Sequence, residues 1–406
     1  MSGAVRRRKV FYLPGFDPFP PRRYRELYRS ESAAQAAISG YAVTVAAAKG
    51  QSGYGWHVQG RMDGCSVESA VEVLVWSDIV ERSMDLGIVA TYVQLVRTAW
   101  AYLGSGALFR LMRLRKGPMI AALYPIALLV LELLVALGLG AGVWALTGLV
   151  LSADTGALGT VLRLAGALVV VPLVLAWFRR VDNRIFAWYL MHDYAFTAQY
   201  HGANPPELEA RMAEFGDHIA TSFAEDWDEV LVVGHSSGAH LAISILADLI
   251  RDQRVPAERP VLGFLSLGQV VPMVSYLPGA DRLRADLAFL SVQDRLTWVD
   301  VTAPGDGCAF ALCDPVAVSG MAGPGKRWPL VLSAAFTRTL SPERWRALRW
   351  RFFRLHFQYL CAFDLPGDYD YFRITAGPLT LADRYRGRAP SKSRIETAYN
   401  RFGRAP

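Results

Sequence analysis

Two long apolar runs in the middle of the chain constrain its fold more than any other feature. From Met119 to Leu151 the only charged side chain is Glu132, and from Ala157 to Phe178 it is Arg163. Between them stands Ser152-Ala153-Asp154, read as a turn. A helix needs ~20 apolar residues to cross a bilayer core, so both runs are long enough, and the pattern predicts a transmembrane helical hairpin over residues 119–178. The competing reading is an apolar cap buried against the rest of the protein. Composition favours lipid exposure: 52% of residues are hydrophobic and only 19% charged.

The flanking charges set a direction. Arg110, Arg113, Arg115 and Lys116 precede the first run, Arg179, Arg180 and Arg184 follow the second, and the tip carries only Asp154. Positive residues stay on the cytoplasmic side, so both halves of the chain are expected on the cytoplasmic face of the inner membrane. No N-terminal signal peptide is recognisable, since the basic residues Arg6–Lys9 lead into a short apolar stretch broken at Pro14-Gly15. The four cysteines, Cys65, Cys308, Cys313 and Cys361, form no C-x-x-C pair and have no histidine at metal-ligand spacing. They read as reduced thiols, with no metal and no cofactor implied. Glu132, ~10 Å inside a helix starting at Pro125, is expected to snorkel or to be protonated. Gly138 and Gly142 make a small-xxx-small step for close helix approach.

Outside the hairpin, strand-like and helix-like stretches alternate. Val10–Leu13, Tyr41–Ala47, Tyr54–Gln59 and Ser69–Trp76 read as strands and Tyr24–Ile38 as a helix, which gives a first α/β part over residues 1–85. Residues 86–118 read as an interfacial or cap helix rich in aromatics. A second α/β part, residues 179–379, carries strands near Glu229–Val233, Val261–Leu267, Leu296–Thr302 and Leu330–Phe336. Ser341-Pro342-Glu343 is a helix start, leading a helix towards Leu360. Such alternation implies a mostly parallel sheet with helices on both faces. Residues 380–406 hold seven Lys/Arg against Asp383 and Glu396. They read as a disordered basic tail drawn to anionic lipid headgroups; no nucleic-acid module accompanies it.

The chemistry concentrates at Gly234-His235-Ser236-Ser237-Gly238, a G-x-S-x-G that follows the apolar strand Glu229–Val233 and opens an Ala/Leu/Ile helix. A sharp strand-to-helix turn strains the serine's backbone, and glycines two residues to either side let strand and helix pass closely. The serine hydroxyl then stands clear of the sheet at the positive end of a helix, as a nucleophile requires. Gly320 to Lys326 imitates the start of a phosphate-binding loop, but Arg327 stands where Ser or Thr is needed and Trp328-Pro329 blocks the helix.

In this segment the chain resembles the α/β-hydrolase superfamily, with a GHSSG elbow like that of lipases and esterases. The resemblance covers residues 10–76 and 229–360 and implies a triad in the order serine, acid, histidine. Of the seven histidines only His240 and His356 follow Ser236. His240 lies one turn along the elbow helix, which leaves His356 as the base. The acid is expected just past a strand: Asp306 first, in the turn after Leu296–Thr302, with Asp300 second inside that strand and Asp314 further out. By the same resemblance the backbone N–H groups of Phe16 and Ser237 form an oxyanion hole. The expectation is a membrane-anchored serine hydrolase of an ester or thioester, its substrate an acyl ester or lipid. An acyltransferase using the same triad, and a non-catalytic membrane scaffold, are the alternatives.

Overall fold

Alternation along the strands decides the architecture. In the computed structural model, which describes residues 4–48, 53–150 and 156–403, Phe11, Leu13, Val230, Val232, Phe264 and Trp298 pack into one core on one face of a sheet. Their neighbours Val10, Tyr12, Leu231, Val233, Leu265 and Val299 pack into a second core on the other face. Successive strand residues point to opposite faces, and a sheet apolar on both must be covered on both.

The chain runs β1 (Arg7–Leu13), α1 (Arg22–Ser39), β2 (Ala42–Ala47), β3 (Tyr54–Met62) and β4 (Cys65–Val73). Helices follow: α2 (Ser77–Met84), α3 (Ile88–Gly104), α4 (Ala107–Leu114), α5 (Lys116–Val150), α6 (Gly156–Ile185), α7 (Ala187–Ala198) and α8 (Pro206–Ser222). Alternation then resumes with β5 (Glu229–His235), α9 (Gly238–Arg251), β6 (Val261–Leu267), α10 (Val271–Ser275), α11 (Asp281–Leu290), β7 (Leu296–Thr302), α12 (Pro315–Val318) and β8 (Leu330–Ser333). Short helices close the chain: α13 (Phe336–Thr339), α14 (Pro342–Leu348), α15 (Phe352–His356), α16 (Tyr371–Ala376) and α17 (Leu381–Arg384).

All eight strands form one sheet, ordered β2-β3-β4-β1-β5-β6-β7-β8. Only β3 runs against its neighbours; the remaining pairs are parallel. The fold is therefore α/β with a mostly parallel sheet, as the sequence predicts. After β1 the chain crosses to the far edge at β2 and returns through β3 and β4, whereas after β5 it moves away on the other side through β6 to β8, so the loops after β1 and β5 part at the seam between them. Such a switch point at the carboxyl ends of the strands opens a crevice for ligands.

Helices α5 and α6 pack against each other and are long and apolar enough to cross a membrane. Only 6% of the most apolar window of α6 is buried, whereas a cap would bury its apolar face. The predicted tip, Ser152-Ala153-Asp154, lies outside the described residues. Two expectations about this pair are corrected. Gly138 and Gly142 have open space beside them; a Cβ on Gly140 would instead lie 3.1 Å from Val171 Cγ2, so Gly140 makes the close approach. Of the two alternatives expected for Glu132 only snorkelling is overturned: the residue is buried and accepts a hydrogen bond from the Trp188 indole of α7 at 3.0 Å.

The predicted disordered tail is also corrected. Ile395 bridges Cys313, and Asn400 Nδ2 donates to the Ser275 and Ser319 carbonyls at 2.9 and 3.1 Å. Three of its arginines make surface ion pairs: Arg388 with Asp368 at 2.6 Å, Arg386 with Asp383, and Arg394 with Glu396 at 3.0 Å. Near the chain start, Arg8 is fully buried in β1, bonded to Glu229 at 2.6 Å and to the Gly377 and Leu379 carbonyls. Glu229 in turn accepts from the Leu381 N–H at 2.7 Å, so one ion pair ties both chain ends to the central strands. Lys326 bonds Asp314 at 2.6 Å, so the phosphate-loop imitation has its lysine committed elsewhere.

Candidate active site

Ser236 is the first residue after β5 and has φ of 57°, a left-handed backbone that a side-chain-bearing residue adopts only at a cost. The turn is enforced from both sides. A Cβ on Gly234 would lie 2.7 Å from Ala239 Cα, and one on Gly238 would lie 2.2 Å from the Leu13 carbonyl oxygen. The two glycines thus permit the crossing of β5, α9 and the end of β1 that holds the serine out. Gly15 makes the third close approach, since a Cβ there would touch Ser236 Cβ at 3.0 Å.

His356 is the last residue of α15, delivered by helices that follow β8. The helix predicted from Pro342 to Leu360 breaks after Leu348 and restarts at Phe352, and the predicted strand ends at Ser333 because Phe336 opens α13. His356 Nδ1 lies 2.7 Å from Asp306 Oδ2. Asp306 sits in the turn after β7, where the Tyr359 hydroxyl donates to Oδ2 at 3.0 Å and the Cys308 N–H to Oδ1 at 2.9 Å. Burial alone would raise this carboxyl's pKa, but the imidazole and these donors outweigh it and hold the group below the usual carboxylate range. The opposite ring nitrogen, Nε2, is buried with no hydrogen-bond partner among the described residues. Ser236 and His356 line one cavity of about 1140 Å³. No hydrogen bond joins Ser236 Oγ to Nε2, as in many sites whose contacts tighten only around substrate.

Asp300, the second choice for the acid, is mid-strand and fully buried, accepting from Ser266 Oγ at 2.6 Å. Burial pushes its carboxyl up to about 8, so it is a neutral acid inside the core. Asp314 caps α12 through the Val316 and Ala317 N–H groups, both at 3.0 Å, and holds Lys326. Only Asp306 touches His356.

Phe16 and Ser237 meet directly: the Phe16 N–H donates to Ser237 Oγ at 2.8 Å. The loop carrying Phe16 is held by the Trp76 indole on the Pro14 carbonyl at 3.0 Å and by the Tyr189 hydroxyl on the Phe16 carbonyl. Rotation of the Ser237 side chain would free the Phe16 N–H beside Ser236.

Several contributors go beyond the sequence reading. His235, the variable residue inside the motif, stacks on His356 with ring centroids 4.8 Å apart, and its Nε2 donates to the His356 carbonyl at 3.0 Å. Burial, then the neighbouring His356, depress its pKa to about 3, so it stays neutral and supports the His356 ring. Tyr359 accepts from the Ala303 N–H at 3.0 Å while donating to Asp306; no local pattern marks it. Asp193 of α7 lines the cavity as well.

Asp306, Cys308 and His356 place possible ligand atoms within 4.8 Å of one another. Both Asp306 oxygens already receive N–H or O–H donors, and burial raises the Cys308 thiol well above its ordinary value. The donor set suits a hydrogen-bonded acid better than a divalent ion, which needs free, deprotonated ligands. An imidazole with a carboxylate on Nδ1 and an unoccupied Nε2 can accept a proton from a hydroxyl and return it. Comparison with protein-family models, curated proteins and solved structures finds no match to this chain.

Proposed function

We propose that the protein is a serine hydrolase that cleaves an ester or thioester, with Ser236 as nucleophile, His356 as base and Asp306 as acid. The observation that carries the reading is the Asp306–His356 pair, whose partner-free Nε2 belongs to the same cavity wall as a serine held at positive φ. Ser236 Oγ attacks the carbonyl carbon while its proton passes to Nε2. The leaving alcohol or thiol takes that proton, and an acyl-serine remains. Water then attacks, gives its proton to Nε2, and the acid leaves as the proton returns to Ser236. The N–H groups of Ser237 and Phe16 stabilise the oxyanion once Ser237 Oγ releases the latter.

The membrane enters the same proposal. Pro118, Asp182 and Asn183, at the bases of α5 and α6, line the cavity that holds Ser236. With α5 and α6 in a bilayer, and the basic residues at their bases on the cytoplasmic side, the cavity mouth would lie where acyl chains partition. A fluorophosphonate probe should label the wild type and spare Ser236→Ala. Equal labelling of both would end this reading.

A further inference from the structure

One acid of the cavity wall has no hydrogen-bond partner among the described residues. Asp193 lies on α7, the first helix after α6, and lines both the main cavity and a small one behind Phe16 and Ser237. Its side chain is half-buried and open to the cavity, and no donor reaches it among the described residues. The other acids on the wall are occupied. Asp17 holds Arg23 and the Tyr24 hydroxyl, Glu26 holds Arg29, Glu31 accepts from the Ala362 N–H, and Asp182 caps α7 through the Trp188 and Tyr189 N–H groups. A partly desolvated carboxylate without a donor is costly. Burial accordingly lifts its pKa to about 7, with His356 pulling the other way.

Building on the hydrolase reading, we infer that Asp193 is a specificity-determining residue that accepts a hydrogen bond from a free hydroxyl on the substrate, so that the preferred ester carries such a hydroxyl near its carbonyl. Position and charge support a hydroxyl. Asp193 shares its walls with Phe16 and Ser237, next to the elbow, so its ligand sits close to the reacting carbonyl. Arg351 and Arg354 line the same cavity and pair with no acid among the described residues. Their charge disfavours a cationic ligand, whereas a neutral hydroxyl meets no repulsion. A site built to receive a hydroxyl rejects the analogue lacking it, because the acceptor is then left buried and unpaired.

The test separates this inference from the chemistry. Full-length protein in detergent is given glycerol monobutyrate and propyl butyrate, and the ratio of kcat/KM is read for wild type, Asp193→Ala and Asp193→Asn. The wild type should favour the hydroxylated ester by about tenfold or more, and Asp193→Ala should erase most of that preference. Asp193→Asn, which keeps an acceptor oxygen, should retain part of it. In parallel, Ser236→Ala is titrated with glycerol monohexyl ether and hexyl propyl ether by calorimetry, a binding measurement that needs no turnover. Tighter binding of the glycerol ether, lost when Asp193→Ala is added, supports the inference even if no ester is cleaved. Equal affinity for the two ethers overturns it, as does a wild-type kinetic ratio near one, and either can occur while fluorophosphonate labelling of Ser236 persists.

Discussion

Asp306 Oδ2 receives both His356 Nδ1, at 2.7 Å, and the Tyr359 hydroxyl, at 3.0 Å. A single oxygen therefore orients the imidazole and is itself oriented by Tyr359, a member of the second core. The asymmetry with Asp300, a neutral acid on the same strand-and-turn segment, makes a paired prediction. Asp306→Asn should lower kcat by about 10⁴-fold, because an amide cannot hold the imidazole in the required tautomer. Asp300→Asn should leave kcat within a fewfold of wild type. Steady-state hydrolysis of an activated ester measures both; equal losses would contradict the assignment.

The strain at Ser236 gives a stability prediction opposed to activity. Glycine tolerates the left-handed backbone that φ of 57° requires. Ser236→Gly should therefore be about 1 kcal/mol more stable than Ser236→Ala, although neither carries the Ser236 hydroxyl. Denaturant unfolding of the two variants side by side measures the difference.

Gly238 offers no such latitude. A Cβ there would sit 2.2 Å from the Leu13 carbonyl oxygen, and backbone cannot retreat as a flexible side chain can. Gly238→Ala should cost roughly 3 kcal/mol or more and abolish probe labelling, whereas Gly323→Ala, with nothing within 4 Å, should be near neutral. Thermal unfolding and labelling of both variants test this.

The buried ion pair should be equally intolerant. Glu229→Ala removes the carboxylate bonded to the fully buried Arg8 at 2.6 Å and leaves an uncompensated charge. A loss of about 3–5 kcal/mol is expected. Glu225→Ala, an exposed acid nearby in sequence, should change stability by under ~0.5 kcal/mol. Equilibrium unfolding in denaturant distinguishes them.

Acid sensitivity has an identifiable source. Burial depresses the pKa of His240 to about 4, whereas an unfolded histidine titrates near 6.5. Between those values the unfolded chain binds the extra proton, so stability is complete above pH ~6.5 and falls as the pH drops towards 4. His240→Gln should flatten this limb by on the order of 3 kcal/mol. Unfolding free energy measured from pH 7 to 4 for both proteins checks the difference in slope.

What is legible from sequence follows the range of the interaction. The elbow is readable because its causes lie within five consecutive residues, flanked by an apolar strand and helix. The choice of His356 is readable only through the resemblance, since no local signal ties α15 to β5. Asp306 and Asp300 cannot be ranked decisively without coordinates, because burial, which makes Asp300 neutral, is a property of the packed sheet. Asp193 and Tyr359 escape for the same reason: each owes its place to elements distant in sequence. The tail misleads because its composition is polar and basic, while what docks it, Ile395 on Cys313 and Asn400 on the Ser275 and Ser319 carbonyls, comes from elements distant in sequence. Gly138 and Gly142 mislead because a motif states a spacing and not the direction in which it faces.

The seating of β1 between β4 and β5 has a consequence in time. During synthesis β1 emerges first, yet its partner Glu229–His235 leaves the ribosome only after α5 and α6 are complete. The central seam of the sheet cannot zip until the apolar pair has been made, and Arg8 waits longer still for the Gly377 and Leu379 carbonyls. If that pair inserts into a bilayer, insertion begins while the surrounding domain is an open half-sheet, and the crevice at the seam would be assembled beside the membrane rather than carried to it.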